Sequence, residues 1–440
     1  IGIIIFLRML QKIYIKHLNN YIDQSVTLAG WVLRVRDNGK ICFLQFRDGT
    51  GFIQVIASKE DVPTETFEIM RHLERESSVK IQGKVVQNPK SPSGLEIIAE
   101  NVIPVSESKS YPITPKEHGT DFLMDLRHLW IRAPRQNAIL KIRHQIVSAI
   151  RQYFDDLDFT LIDAPLFTAN ECEGSSTLFK TPYFGEEAYL SQSGQLYMEA
   201  ACEAFGRAYC FGPTFRAENS NTRRHLTEFW MVEPEVAYMD LEGDMELAEG
   251  LVQAIVKRVL EKCKLELQIL ERDCTPLENV ISGNFPRISY TEAVEIIQKS
   301  GVNFNWGDDF GGGDETIIGS AFNRPVIVYG YPKEIKPFYM KTDPENPKIV
   351  RNMDILAPEG YGEIIGGGQR EEDYNTLIEA IKAQGLAESS YQWYTDLRKY
   401  GSVPHAGFGL GIERSVAWIC GLPHVRETGA FPRLPRRLKP

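Results

Sequence analysis

The chain has 440 residues, 43% apolar and 25% charged, the balance of an ordinary globular protein with room for two or three domains. A net charge of −10 excludes a surface coated in nucleic-acid-binding charge, though it leaves room for local basic patches. No run approaches the ~20 apolar residues of a membrane span. Seven cysteines, odd in number and without a Cys-x-x-Cys pair, argue for reduced thiols in a cytoplasm and against a zinc site.

The opening run Ile3–Leu7 is too short for a secretory signal, and a Met stands at position 9, so Ile1–Arg8 is expected to be a start-site artefact. Residues 21–105 read as short strands between turns: Val26–Val35, Ile41–Phe46, Phe52–Ala57, Ser77–Val86 and Leu95–Pro104. The segment Pro63–Glu76 reads as a helix after the third strand, and that layout is an OB barrel, whose open face binds oligonucleotides. Arg34, Arg36, Lys40 and Arg47 give it a local basic patch. The first domain is thus expected at 9–105, a polar linker at 106–125 and a second domain at 126–440.

In the second domain Ile139, Ile142, Ile146 and Ile150 repeat at helical spacing, which predicts an amphipathic helix over Asn137–Asp156 and then a strand ending at Asp163-Ala164-Pro165. Strands and helices then mix without regular alternation, which predicts an α+β domain built on a largely antiparallel sheet. Tyr238–Arg272 and Thr291–Ser300 read as helices, and Gly301–Gly319 as a loop.

Three segments carry chemistry. Phe215–Glu235 is a basic loop between two β-rich arms, with Arg216 and Glu218 leaving one face of the first arm. Such a hairpin can hold a phosphate through its arginine and an amine or ring nitrogen through its carboxylates, although an isolated charged hairpin is most often an ion-paired surface feature. Asp354 and Glu363, just before Gly366-Gly367-Gly368-Gln369-Arg370, offer hard oxygen ligands that suit Mg²⁺ beside a phosphate. Gly407-Phe408-Gly409-Leu410-Gly411 precedes Arg414 and a short apolar helix. Its alternate glycines let a flat ligand approach the strand, while Arg414 stands where a dinucleotide fingerprint needs glycine.

In this order, the segments resemble the three motifs of class II aminoacyl-tRNA synthetases. Ile139–Pro165 looks like the dimer-interface motif, Phe215–Glu235 like the second motif and Gly407–Arg414 like the third. With an OB domain in front, the resemblance is to the aspartyl/asparaginyl/lysyl subgroup and covers the chain from Met9 on. Tyr189–Tyr197, Ala357–Arg370 and Gly401–His405 point within it to the bacterial asparagine-activating branch. Aspartate-activating relatives carry Lys and Pro where this chain has Met198 and Gly194. A substrate carboxylate would therefore lose one of two cations and meet a thioether, whereas an amide needs only hydrogen bonds.

The resemblance implies a catalytic domain, ATP and Mg²⁺ as cofactors, L-asparagine and tRNA(Asn) as partners, and a homodimer through 137–165. It implies that Arg216 bridges the substrate carboxylate and the α-phosphate, that Phe229 stacks under adenine, that Glu218 and His225 contact ATP, and that Arg414 reaches the γ-phosphate. Glu363 would contact ATP and, with Asp354, hold the metal. Glu173, Ser193, Gln195, Met198, Glu233 and Arg370 would line the amino-acid pocket, with Arg370 donating to the side-chain amide oxygen. Arg36, Phe43 and Gln54 would read the anticodon. Two other readings stay open: an aspartate-activating enzyme, strict or relaxed, and a non-catalytic tRNA-binding paralogue. A tRNA-independent asparagine-making paralogue would lack the OB domain.

Overall fold

The computed structural model describes residues 13–91, 93–172, 178–219 and 222–440, so Ile1–Arg8 and Glu173 lie outside the described residues. The chain divides into two compact units, one ending at Gly119 and the other running Thr120–Pro440.

In the first unit, β1 (Ser25–Asp37), β2 (Ile41–Arg47), β3 (Phe52–Ser58), β4 (Ser78–Gln87) and β5 (Leu95–Ser106) close a barrel in the order β1-β2-β3-β5-β4. The period-two pattern makes this barrel: Cys42, Leu44 and Phe46 turn inward from β2, and Val55 and Ala57 from β3. Phe67 and Met70 of helix Thr64–His72 join the same core. The residues between them face out. On that outer lattice Arg36 stands opposite Phe43, Phe43 opposite Ile56, and Gln45 opposite Gln54.

The second unit is built on an eight-stranded sheet. Its strands are β6 (Thr160–Leu161), β10 (Arg207–Phe215), β11 (Glu228–Ala237), β12 (Arg287–Ser289), β13 (Val326–Tyr329), β14 (Asn352–Ala357), β15 (Gly362–Gln369) and β16 (His405–Gly411). They run in the order β12-β13-β14-β15-β16-β11-β10-β6, antiparallel except for the end pairs β12–β13 and β10–β6. A small sheet of β7 (Phe167–Thr168), β9 (Glu186–Leu190) and β8 (Lys180–Tyr183) stands apart. The fold is α+β, an OB barrel with an antiparallel catalytic-type sheet and flanking helices.

Helix Leu241–Lys262, capped by the Asp240 side chain on the Gly243 amide (3.0 Å), packs against β14, β15 and β16. Helix Pro134–Asp156 begins three residues earlier than its periodicity predicts, on a proline suited to the first turn. It buries Ile139, Ile142, Ile146 and Ile150 against helices Leu241–Lys262 and Lys264–Ile269. Among the described residues, no helix is long and apolar enough to cross a membrane.

Three expectations change. Thr120–Asp125, counted with the linker, is helical and belongs to the second unit. The long helix of Tyr238–Arg272 ends at Lys262, and a second helix follows. Gly312–Ser320, expected as loop, is a helix. Its glycines are poor helix formers, but the Asp314 carboxylate accepts the Gly311 amide at 2.9 Å, and Arg224 binds Glu315 (2.9 Å) and Thr316 (2.7 Å). Tertiary contacts outweigh propensity there.

Candidate active site

The site is laid out along β11. Successive side chains of a strand alternate between faces, so Phe229, Met231, Glu233 and Glu235 share one. At ~3.4 Å per residue the file from Phe229 to Glu235 spans ~20 Å. Phe229 and Met231 line an open cavity with Arg216, Glu218, His225 and Arg414, while Glu233 and Glu235 are buried beyond it. Glu363 lines the same cavity, so the six residues expected around ATP lie together.

Within this cavity the Arg216 guanidinium lies 5.3 Å from the centre of the Phe229 ring. The Arg414 guanidinium donates to the Glu363 carbonyl (2.8 Å) and lies 3.6 Å from its carboxylate. His225 is hydrogen-bonded to Thr222 and lies 3.9 Å from Glu218. Burial and then the Arg414 charge hold its imidazole below the usual histidine range, so it is neutral at pH 7.

A second cavity of about 740 Å³ adjoins the first, sharing Arg224, His225, Glu363 and Arg414 with it. A Cβ placed on Gly366 would lie 2.8 Å from Glu363 Oε1 and 3.3 Å from Asp354 Oδ1, so both carboxylates converge over this glycine. Asp354 is already engaged, because Lys336 Nζ sits 2.9 Å from Oδ2 and 4.0 Å from the centre of the Tyr331 ring. Burial pushes the Asp354 carboxyl up to about 6, Lys336 pulls it down, and Glu363 adds to the rise. Among the described residues no group of three or more His, Cys, Asp or Glu could hold a metal. Two carboxylates suffice for Mg²⁺, which takes its other oxygens from phosphate and water.

At the buried end, Glu233 accepts from the Ser193 hydroxyl and the Gly194 amide (2.9 Å), and Cys210 Sγ stands 3.4 Å away. The Gln195 amide nitrogen donates to Ser193 Oγ (3.1 Å), closing the turn that opens helix Gln195–Phe205. Arg370, 1% exposed, gives Nε (3.0 Å) and Nη2 to Glu235 Oε1, and Nη2 also reaches the Gly407 carbonyl at 2.9 Å. Among the described residues its Nη1 meets only the Met340 thioether, at 3.8 Å, and Glu235 Oε2 has no hydrogen-bond partner. Burial pushes the Glu235 carboxyl up to about 7 against the opposing pull of Arg370.

Behind this pair, Glu199 is fully buried. It accepts from Gln195 (3.0 Å), Tyr394 (2.7 Å) and Arg398 and contacts His405 Nε2 (3.0 Å). Burial works against its charge, but Arg398, His405 and Arg370 hold the carboxyl well below the usual range.

The sequence-based account of Met198 changes. Its side chain is fully buried in an apolar cluster with Ala201, Ala208 and Cys210, and the charge set beside Arg370 is instead Glu235 and Glu199. Neither was singled out, although Glu235 stands two residues from Glu233 and Glu199 one helical turn after Gln195. Lys336 and Glu315 were also missed, and nothing in their local sequence marks them.

Two glycines of the Gly407–Gly411 run are crowded by β11. A Cβ on Gly407 would meet the Pro234 carbonyl at 2.1 Å and the Glu235 carboxylate at 2.6 Å, and one on Gly409 would meet Met231 at 2.4 Å. Gly407 and Gly409 make room for protein atoms, whereas a Cβ on Gly411 would meet nothing within 4 Å, and Gly409 and Gly411 both line the cavity beside Phe229. In the barrel, Gln54 Nε2 is tied to Glu96 (2.8 Å), while Phe43 is half-buried and Arg36 exposed.

An open cavity edged by a hairpin arginine, on an antiparallel sheet that follows an OB barrel, points to the class. Residues 119–435 match the family described as tRNA synthetases class II (D, K and N), and residues 26–105 match the OB-fold nucleic acid binding domain. The chain belongs to that synthetase family. Among relatives, the asparagine–tRNA ligase of Sorangium cellulosum is 55% identical, over 96% of this chain and 98% of its own length. That of Desulforamulus reducens is 52% identical, over 98% and 100%. The asparaginyl-tRNA synthetase from Pyrococcus horikoshii, solved with asparaginyl-adenylate, superposes with a TM-score of 0.94 at 46% identity, covering 98% of this chain and 100% of its own.

Proposed function

We propose that the chain attaches L-asparagine to tRNA(Asn) through an asparaginyl-adenylate, releasing AMP and diphosphate. The file of side chains on β11 carries this reading. It runs ~20 Å, from a cavity edged by Phe229 and Arg216 to the buried carboxylates of Glu233 and Glu235, long enough for an aminoacyl-adenylate. Relatives named for asparagine share 31–55% of their residues with the chain; within Entamoeba histolytica, the asparaginyl-tRNA synthetase shares 31% and the aspartyl tRNA synthetase 26%. Arg216, Glu218, Glu363 and Arg414 are all retained, which does not favour a non-catalytic paralogue.

ATP use follows from membership of this adenylate-forming family. In our reading Phe229 stacks under adenine, Glu218 and His225 contact the nucleotide, and Arg414 reaches the γ-phosphate. Arg216 bridges the α-phosphate and the substrate carboxylate. That carboxylate is ionised at neutral pH, so no general base is needed. Its oxygen attacks the α-phosphorus as the bond to the β-phosphate oxygen breaks and diphosphate leaves. Catalysis then rests on alignment and on arginine charge at the reacting phosphate. Glu363 with Asp354 would hold Mg²⁺, whose charge would neutralise phosphate oxygens. In the second step the terminal ribose hydroxyl of the tRNA bonds to the acyl carbon, the acyl–phosphate bond breaks, AMP leaves and the hydroxyl proton is released.

Selection of asparagine is assigned to the corner at Arg370. Ser193, Gln195 and Glu233 would take the α-amine end, Arg370 would donate to the amide oxygen and Glu235 Oε2 would accept from the amide nitrogen. Because Glu235 already answers the Arg370 charge, a substrate carboxylate would enter without a free cation. Arg36, Phe43 and Gln54 would hold the anticodon, the ring stacking on an unpaired base. The compartment we infer is the cytoplasm.

Asparagine- and aspartate-dependent ATP–diphosphate exchange tests the reading, together with mass-spectrometric identification of the amino acid esterified to tRNA. Equal or faster exchange with aspartate would sink the assignment.

A further inference from the structure

Strand β16 ends before it has covered the whole of β11. Its last residue, Gly411, stands opposite Met231, and the chain then turns into helix Ile412–Cys420. The Trp230 amide, one residue further along β11, therefore faces no strand carbonyl on that side. A main-chain donor shielded from water must find another acceptor. It finds the Glu413 carboxylate, with Oε2 at 2.9 Å.

That amide belongs to the rigid peptide plane joining Trp230 to Phe229, so holding it also holds the root of the Phe229 side chain. The other Glu413 oxygen, Oε1, meets Arg143 Nη2 at 2.8 Å, with the Arg143 side chain 17% exposed and that of Glu413 8%. Arg143 stands on helix Pro134–Asp156, and its Nη1 reaches the Thr428 carbonyl at 3.5 Å.

Among the described residues Glu413 lines the cavity with Phe229 and Arg414, whereas Arg143 does not. Arg414 is next to Glu413 in sequence, but it is held separately, by the Glu363 carbonyl at 2.8 Å.

We propose that Arg143 and Glu413 are positioning residues for the adenine ring: their ion pair fixes the Phe229–Trp230 peptide and, through it, the face on which adenine stacks. This rests on reading the cavity as the ATP site. A carboxylate held by a guanidinium presents its second oxygen to the amide in one fixed geometry, and hydrogen bonds to ionised groups are roughly twice as strong as neutral ones. Without Arg143 the Glu413 charge would be left unpaired and nearly buried, and it would turn toward water in the cavity, away from the Trp230 amide. A base stack is worth on the order of ten- to a hundredfold in affinity, so a displaced ring shows in nucleotide binding.

The test uses the full chain with Arg143→Met, Arg143→Lys and Glu413→Gln. Titration calorimetry gives the Kd for ATP, for adenosine and for inorganic tripolyphosphate. We expect the Kd for ATP and for adenosine to rise about tenfold in Arg143→Met and Glu413→Gln, with tripolyphosphate unaffected. Arg143→Lys, which keeps the charge, should stay close to the unsubstituted chain. Equal weakening of adenosine and tripolyphosphate would mark general loosening and overturn the proposal. Unchanged adenosine binding, or a lysine variant as weak as the methionine one, would overturn it too. If Arg143→Met does not fold, Glu413→Gln, which buries no unpaired anion, decides alone. No adenosine binding by the unsubstituted chain also overturns the proposal, whereas adenosine binding without asparagine-dependent exchange overturns only the functional reading beneath it.

Discussion

At Arg370, two guanidinium nitrogens are bound to Glu235. If that neutralisation selects against aspartate, Glu235→Gln should free a buried cation for a carboxylate. The aspartate-to-asparagine ratio in ATP–diphosphate exchange should then rise by about tenfold or more, and an unchanged ratio would remove Glu235 from specificity. Arg216 carries a different burden, because charge gathers on the α-phosphate only as the reaction proceeds. Arg216→Ala should reduce adenylate formation by on the order of a thousandfold, and near-normal exchange would refute its role.

Among the elements, β16 depends most on having no side chains. Gly407→Ala would drive a methyl group into the Pro234 carbonyl, which stands 2.1 Å from the Cβ position and belongs to a neighbouring strand that cannot yield. Overpacking of this kind costs at least ~2 kcal/mol. The melting step of the second unit should fall by about 3 °C while the barrel's step stays in place, as resolved by scanning calorimetry. Equal melting of the variant and the parent would mean that the strand pair can spread. Alternate glycines suggest a strand opened for a flat ligand: Gly409 and Gly411 line the cavity, whereas protein atoms fill the space at Gly407. The helix Gly312–Ser320 makes the same point: its glycines read as loop, and Arg224 from the hairpin joins the Asp314 cap in holding it.

Across the whole molecule, each unit has its own core, so their contributions can be measured apart. Phe43→Ala in the barrel should raise the KM for tRNA about tenfold, the worth of one base stack, and leave exchange untouched. A loss of exchange would contradict separate roles. A homodimer through 137–165 is expected to appear as twice the chain mass in sedimentation equilibrium. Leu161 within this stretch, and Leu166 and Phe167 just after it, are exposed at 38%, 42% and 52% and are candidates for burial there. A monomer at micromolar concentration would refute it.

Much of this was legible in sequence, because periodicity and motif order are local properties. Five alternating strands with a helix after the third implied the barrel, and Phe215–Glu235 with Gly407–Arg414 implied the synthetase class. What pairs with what was not legible. Glu235 and Arg370 are 135 residues apart, and Glu199 and Arg398 are 199 apart. Met198, the most informative residue in the linear comparison, lies in an apolar cluster. The charge that faces Arg370 comes from strands and helices that meet only after folding. Residue type and spacing determined the class of chemistry, whereas the tertiary structure decided which charges are already neutralised, since burial and pairing exist only once the chain has closed on itself.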